Sequence, residues 1–268
     1  MEIIDTHCHL DLPAFDADRR AVLMAARAKG LTGIVVPGVL ASKWDSLWRC
    51  CAAEPDLYPA LGLHPVYLEH HRDADLKELE ARIAQQRPVA VGEIGLDYFV
   101  AGLDRDRQLA LFEAQLEIAR NADLPVILHV RKAHDAVLSA LKRIPVRGGI
   151  AHAYNGSLQQ AAVYEQLGFK LGFGGMLTYT RSSKLRALAA ALPVDSLVLE
   201  TDAPDLTVVQ HRGERNSPEY LPYCLAALAE VRAERPDELA RQTTANARTV
   251  LGLAAWNPPQ HPVSSRVS

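Results

Sequence analysis

The chain has no cysteine pair in C-x-x-C spacing. Its four cysteines include the adjacent Cys50 and Cys51, a pattern that supplies neither a disulfide framework nor a zinc ribbon and fits a reducing compartment. It lacks the charged, apolar and small-residue plan of a leader: MEIIDTHCHLDL puts an acid at position 2 and two histidines within nine residues, so a cytoplasmic protein is expected. No window reaches ~18 uninterrupted apolar residues. The best candidate, 31–40, is broken by Gly33, Pro37 and Gly38, so no contact with a membrane is expected. Excess charge of one sign is also missing: 29 basic against 32 acidic residues leave −3, so any nucleic-acid contact must come from a local patch, and duplex-coating binders are disfavoured. Apolar residues at 49% and charged residues at 23% exclude a disordered, collagenous or coiled-coil chain. There is no internal repeat of fixed period, no linker and no sign of an obligate protein partner.

What the 268 residues do contain is a series of short β-branched runs closed by Gly, Pro, His or an acid. Eight are read: 2–7, 32–37, 57–64, 89–94, 125–129, 148–152, 169–174 and 196–202. Helical spacing lies between them. From Asp104 to Asn121 the apolar residues Leu109, Phe112, Leu116 and Ala119 fall on one stripe. Residues 16–29 carry Asp16 and Asp18 as candidate caps and stop at Gly30, and two further helices are expected over 219–234 and 237–252. Eight β/α units fit a closed (β/α)8 TIM barrel or a doubly wound open sheet, and the strand count favours the barrel. Residues 1–253 are expected to form that single domain and 254–268 a flexible tail.

Five of ten histidines, His7, His9, His64, His129 and His152, end expected strands, as do Glu93 in VGEIGLDY and Asp202 in LETDAP. In a barrel all those ends open on one face, where catalytic groups sit. His7 and His9 are two apart on a strand end, so both rings face one side and suit one cation. With Glu93, His129, His152 and Asp202 they make six candidate ligands, more than one tetrahedral ion needs, and a carboxylate can bridge two cations. The expected site is therefore binuclear, with His7, His9 and Asp202 on one ion, His129 and His152 on the other, and Glu93 between. His64, in GLHP, either contacts substrate or merely precedes a turn shaped by Gly62 and Pro65. Asp5 either orients an imidazole or caps a turn. His70 and His71, in EHHRDAD, read as solvated surface, and His134, His211 and His261 have no strand-end placement.

In this order DTHCHLD, GLHP, VGEIGLDY, PVILHVRKAHD, AHAYNGS and LETDAPDL make the chain, from residue 3 to about 251, resemble the TatD-like metal-dependent deoxyribonucleases. The resemblance implies a (β/α)8 barrel of the wider amidohydrolase group, with the metal site at the carboxyl ends of the strands. It matches His7, His9, Glu93, His129, His152 and Asp202 to the family's metal positions, and it places His64, Arg131, Glu200 and Asn216 in substrate-contact regions. Glu93 stands where many amidohydrolases carry a carboxylated lysine, which points to the phosphoesterase side of the group. The chain departs from the family at 151–157, AHAYNGS in place of a Cys-Phe-Ser-Gly-Ser stretch, and at Ala203 and Asp205, where Ser and Tyr are common.

The activity expected is hydrolysis of phosphodiester bonds at DNA ends, in single strands or at 3′ ends, by a metal-activated water. Asp202 would be general base, and His64 and Arg131 would contact the phosphate. Imidazole ligands favour zinc or manganese, whereas the resemblance implies magnesium. Arg131 reads equally as a rim salt bridge, and the 172–175 loop as a phosphate cradle or a plain turn. The alternatives are a two-metal hydrolase of a small ester, lactone or amide, an aminoacyl-tRNA deacylase, or a binding protein without turnover.

Overall fold

The computed structural model describes residues 1–256. The β-branched runs form eight strands: β1 (Ile3–Asp5), β2 (Leu31–Pro37), β3 (Leu57–Leu61), β4 (Ala90–Asp97), β5 (Val126–Arg131), β6 (Gly149–Ala151), β7 (Phe169–Phe173) and β8 (Leu197–Leu199). Neighbours are parallel and follow sequence order from β1 to β8, without the reversal of a doubly wound sheet. The seam closes just past the last ladder. Thr6 N–H donates to Leu199 O (3.0 Å), Asp202 N–H to His7 O (2.8 Å) and His9 N–H to Ala203 O (2.8 Å), while Cys8 pairs with Ala203. The architecture is a (β/α)8 barrel.

Helices α1 (Arg19–Ala28), α2 (Trp44–Ala52), α3 (Asp73–Gln85), α4 (Arg105–Asn121), α5 (His134–Arg143), α6 (Leu158–Gln166), α7 (Ser183–Ala191) and α8 (Leu221–Arg232) follow the strands in turn. Helix α4 begins where Asp104 accepts from the N–H groups of Asp106 and Arg107, as a side-chain cap should. Its buried face carries Phe112, Leu116 and Ala119 as expected, with Gln108 and Gln115 in place of the half-buried Leu109. Helix α9 (Pro236–Leu251) ends at Gly252, whose φ of +65° suits a residue without Cβ. It lays Ala247, Val250 and Leu251 against Ile4, Val35, Ile127, Ile150 and Val198, closing the end of the barrel opposite the strand carboxyl ends.

Ala254 and Ala255 lie in a single turn, and Trp256 packs edge-on against Tyr58 and donates its Nε1–H to Arg87 O (3.0 Å). The rest of the expected tail, with His261, lies outside the described residues. No helix among the described residues is long and apolar enough to cross a membrane.

The expected strands differ from the observed ones mainly at their carboxyl ends. The ladders of β1, β3, β6 and β8 stop before His7, His64, His152 and Asp202, so these residues stand on the turns at the barrel mouth. Strand β4 does the opposite and runs on to Asp97, so Glu93 lies inside it. The β4–β5 register shifts between Val91 and Ile94. Gly95, at φ +147°, lets β4 stay against His129, because a Cβ there would collide with its carbonyl.

Candidate metal centre

The six residues expected as ligands meet at the mouth, arranged around the two oxygens of Glu93. Oε1 lies 3.0 Å from His129 Nδ1, 3.2 Å from His152 Nε2 and 3.3 Å from His64 Nε2. Oε2 lies 3.2 Å from His7 Nε2 and 3.5 Å from His9 Nε2, and Asp202 Oδ1 stands 3.6 and 3.7 Å from the same two nitrogens. The donor atoms cluster as His7 with His9 and Asp202, as His64 with Glu93 and His129, and as His7 with Glu93 and His152. His7 thus borders both halves, its ring stacked on that of His152 at 3.9 Å between centroids.

Backbone geometry aims these groups. Asp202 adopts a left-handed conformation at φ +58°, Ala153 follows His152 at +45° and Lys132 follows Arg131 at +59°. Non-glycine residues in this region are uncommon and gather at functional sites. Here they mark the turns where β5, β6 and β8 give way to loops.

The partners behind the rings assign their tautomers. His9 Nδ1 faces the carbonyl of Pro37 (3.2 Å), His129 Nε2 faces Asp97 Oδ2 (2.9 Å) and His152 Nδ1 faces Glu200 Oε1 (3.5 Å). For His9 and His129 those hydrogen-bonded oxygens only accept, which places the proton of the neutral ring on the outer nitrogen and a lone pair on the inner one, whereas His152 Nδ1 is buried without a hydrogen-bond partner. Two lone pairs then face two carboxylates. Such a set is repulsive unless protons or cations fill it, and mixed imidazole and carboxylate donors suit divalent transition ions and magnesium's neighbours alike. The residues present therefore fit a metal centre.

His64 is built the other way round. Its Nδ1 accepts from Val66 N–H (3.1 Å), which puts its proton on Nε2, the nitrogen aimed at Glu93 and His129. It offers the centre an N–H.

Charge follows the same logic. Burial pushes the Asp202 carboxyl up to about 6 and His64 down to about 4, and holds His7 well below the ordinary imidazole value. Burial would also raise Glu93, but His64, His7 and His152 around it bring it well below the carboxylate range. His152 stands well above the usual value: burial opposes this, and the charges of Glu93 and Asp202 outweigh it. Without a cation, protons occupy this cluster, so protons and metal compete for the same nitrogens.

A cavity of about 570 Å³ opens beside the cluster, bordered by His129, Arg131, His152, Phe173, Met176 and Asp202 among others. Arg131 stands at its edge, exposed, its guanidinium 3.8 Å from the centre of the Phe99 ring and in no salt bridge among the described residues. The 172–174 segment also lines the cavity, but Gly172 and Gly174 pack against Glu200.

Other expected residues are placed differently. Glu200 is 1% exposed and accepts from Ala153 N–H (2.5 Å) behind His152. Asn216, fully buried, donates to the carbonyls of Thr201 and Asp205 and accepts from Ser217 N–H, so its amide braces the loop after β8 instead of facing the cavity. Asp5 orients no imidazole. It accepts from the N–H of His7 and from the N–H and hydroxyl of Thr201, clasping the β1–β8 seam, and burial raises its carboxyl to about 8. His71, expected on the surface, is buried, its Nε2 2.8 Å from His64 O. The charged residues around it hid this placement. His134 is buried against Tyr164 and Asn155, and His211 stacks on Tyr220.

Three residues that hold the site went unread in the sequence. Gln115 donates to Leu63 O (3.1 Å) and accepts from Leu63 N–H (2.7 Å), the residue before His64. Gln108 does the same for Asp97 (3.0 and 2.8 Å), and Asp97 in turn meets His129. The available signal was two amides seven residues apart on the buried stripe of α4, where apolar side chains belong.

Comparison with known proteins gives a consistent picture. The model of the family described as TatD related DNase matches residues 4–252. The chain is 44% identical over 254 residues to the uncharacterized metal-dependent hydrolase YjjV of Escherichia coli, covering 93% of this chain and 98% of that protein. It is 34% identical over 252 residues to the 3′-5′ ssDNA/RNA exonuclease TatD of a Rahnella strain, covering 90% and 95%. The crystal structure of E. coli YjjV superposes with a TM-score of 0.89 over 92% of this chain and 97% of that one, at 44% identity. A TatD-family hydrolase from Entamoeba histolytica shares the fold at a TM-score of 0.82 and 19% identity, over 93% and 98%.

Proposed function

Because the chain belongs to the TatD-related DNase family and is a metal-dependent hydrolase, we propose that it cleaves phosphodiester bonds at the ends of single-stranded DNA. The observation that carries this reading is the convergence of imidazole nitrogens from four strand ends on the Glu93 carboxylate, with Asp202 beside it, at the edge of a cavity that Arg131 borders. In the proposal His7, His9 and Asp202 would hold one divalent cation and His129 and His152 a second, with Glu93 as a ligand available to either, and Mg²⁺, Mn²⁺ or Zn²⁺ as candidates. Bound there, the cations would supply charge stabilisation for the phosphoryl oxygens and would acidify water.

The chain's own residues supply the rest. Asp202, raised to about 6 by burial, accepts the proton of the attacking water on the oxygen not turned towards His7 and His9. The Nε2–H of His64 donates to a phosphate oxygen, since its ring is held with the proton inward. Arg131, on the same strand as His129 and two residues further on, binds the neighbouring phosphate with its planar donors. The name of the Rahnella relative supports 3′ ends and single strands. The cytoplasm remains the proposed compartment.

The cavity also favours a second reading. Tyr154, Phe173, Met176 and Leu206 line much of it and, among the described residues, Arg131 is the one Lys or Arg that borders it, which would suit a small ester, lactone or amide. End-labelled single-stranded and duplex oligonucleotides, digested with a metal series, decide between them. The nuclease reading expects shortening from one end of single strands, abolished in Asp202→Asn. Cleavage of p-nitrophenyl esters or lactones with DNA ends left intact sinks it.

A further inference from the structure

Asp97 closes β4 four residues beyond Glu93, is 1% exposed, and does not line the cavity. All its polar atoms are committed. Its N–H and C=O pair with Gln108, Oδ1 accepts from the N–H groups of Phe99 and Val100 (both 2.9 Å), and Oδ2 faces His129 Nε2 at 2.9 Å. We infer that Asp97 is a positioning residue that fixes the tautomer of His129, so that the Nδ1 lone pair points at Glu93. The inference rests on the proposed function only in treating His129 as a metal donor.

The chemistry leaves one arrangement. Carboxylates face both nitrogens, Asp97 Oδ2 at 2.9 Å from Nε2 and Glu93 Oε1 at 3.0 Å from Nδ1, but Nδ1 also receives the inward Nε2–H of His64 (3.2 Å), so the one proton of neutral His129 goes to Nε2 and Asp97. An amide in its place has one accepting oxygen. If that oxygen keeps the two backbone N–H groups, its NH₂ faces His129, which must then accept at Nε2 and carry its proton on Nδ1. If the amide turns over, its NH₂ points at two backbone donors. The turn at Phe99 and Val100 therefore makes Asp97→Asn a switch of tautomer rather than a mild change.

Two measurements test this, neither using a phosphodiester, so loss of DNA cleavage would not by itself touch the inference. Imidazole ¹⁵N spectra of the metal-free protein at pH 9 should show the His129 proton on Nε2 in the wild type and on Nδ1 in Asp97→Asn. A wild-type proton on Nδ1, alone or with Nε2, overturns the inference, and so does an unchanged tautomer in the variant. Calorimetric titration with Mn²⁺ should show one binding event weakened 10–100-fold in Asp97→Asn, the range typical for a group that orients a ligand. Equal affinities at both sites also overturn it. If the variant does not fold, the wild-type spectrum alone decides.

Discussion

Gly172 leaves the space that the Glu200 carboxylate fills: a Cβ on Gly172 would collide with Oε2 of Glu200. That carboxylate accepts from Ala153 N–H and lies 3.5 Å from His152 Nδ1, so a missing side chain on β7 governs the backing of a ring on the turn after β6. Gly172→Ala keeps an allowed backbone and moves only the carboxylate. The expected result is a tenfold or larger loss of metal affinity with a stability cost of about 1–3 kcal/mol from overpacking. Calorimetric metal titration beside a urea melt checks both, and unchanged metal affinity would show that Glu200 does not govern His152.

Gln115→Leu tests the brace under His64. The substitution keeps the volume of the side chain but leaves the buried N–H and C=O of Leu63 unpaired. Leaving such groups unmet costs about 1–3 kcal/mol each, so the melting midpoint in urea should fall and turnover with it, because Leu63 precedes His64. A variant as stable as the wild type contradicts the brace.

How much of this was legible follows from where each residue type sits. The barrel was readable because β-branched runs closed by turn residues alternate with helical stripes, and the His7/His9 pair because the extended backbone past β1, bridged at Cys8 to Ala203, keeps the two rings on one side as a strand would. Gln108, Gln115 and Asp97 were not, since each acts through partners 11, 52 and 32 residues away, and no local pattern announces them. His71 was misplaced for a related reason. Charge density along EHHRDAD averages over residues of opposite burial, and the short helical turn Pro65–His70 rotates His71 inward to the carbonyl of His64. Glu200 and Asn216 were located by motif, and a motif fixes position along the chain, not the direction a side chain takes.

Metal should stabilise the fold. A cation that binds only the folded chain adds about 2.7 kcal/mol at a hundredfold excess over its Kd. For a chain of this size that is a rise in Tm of roughly 5–10 °C. Melts in Mn²⁺ and after chelation measure it. Identical melts would mean that lone pairs facing carboxylates at this mouth bind no cation.

Phe99 carries the Arg131 guanidinium on its ring while its own N–H is tied to Asp97, so an exposed aromatic face lies beside the arginine that borders the cavity. Stacking an unpaired base on such a surface is worth about 1–3 kcal/mol. Phe99→Ala should therefore raise KM for a single-stranded oligonucleotide by roughly 5–160-fold at that energy, and leave cleavage of a small aryl phosphodiester unchanged. Equal losses on both substrates would place Phe99 in the structure of the loop and not in substrate contact.

The last expectation concerns acid. Burial holds the His71 imidazole below its ordinary value, against the opposing bond to His64 O. The unfolded chain therefore takes up this proton near pH ~6.5, while the folded chain resists until lower pH. A depressed folded value gives stability that is present above the unfolded value and lost as pH falls towards the folded one. His71→Gln keeps a donor for the carbonyl and cannot titrate. Urea midpoints taken from pH 7.5 down to 5 should fall more steeply for the wild type than for this variant, and parallel curves would mean that His71 takes no part in the acid sensitivity of the fold.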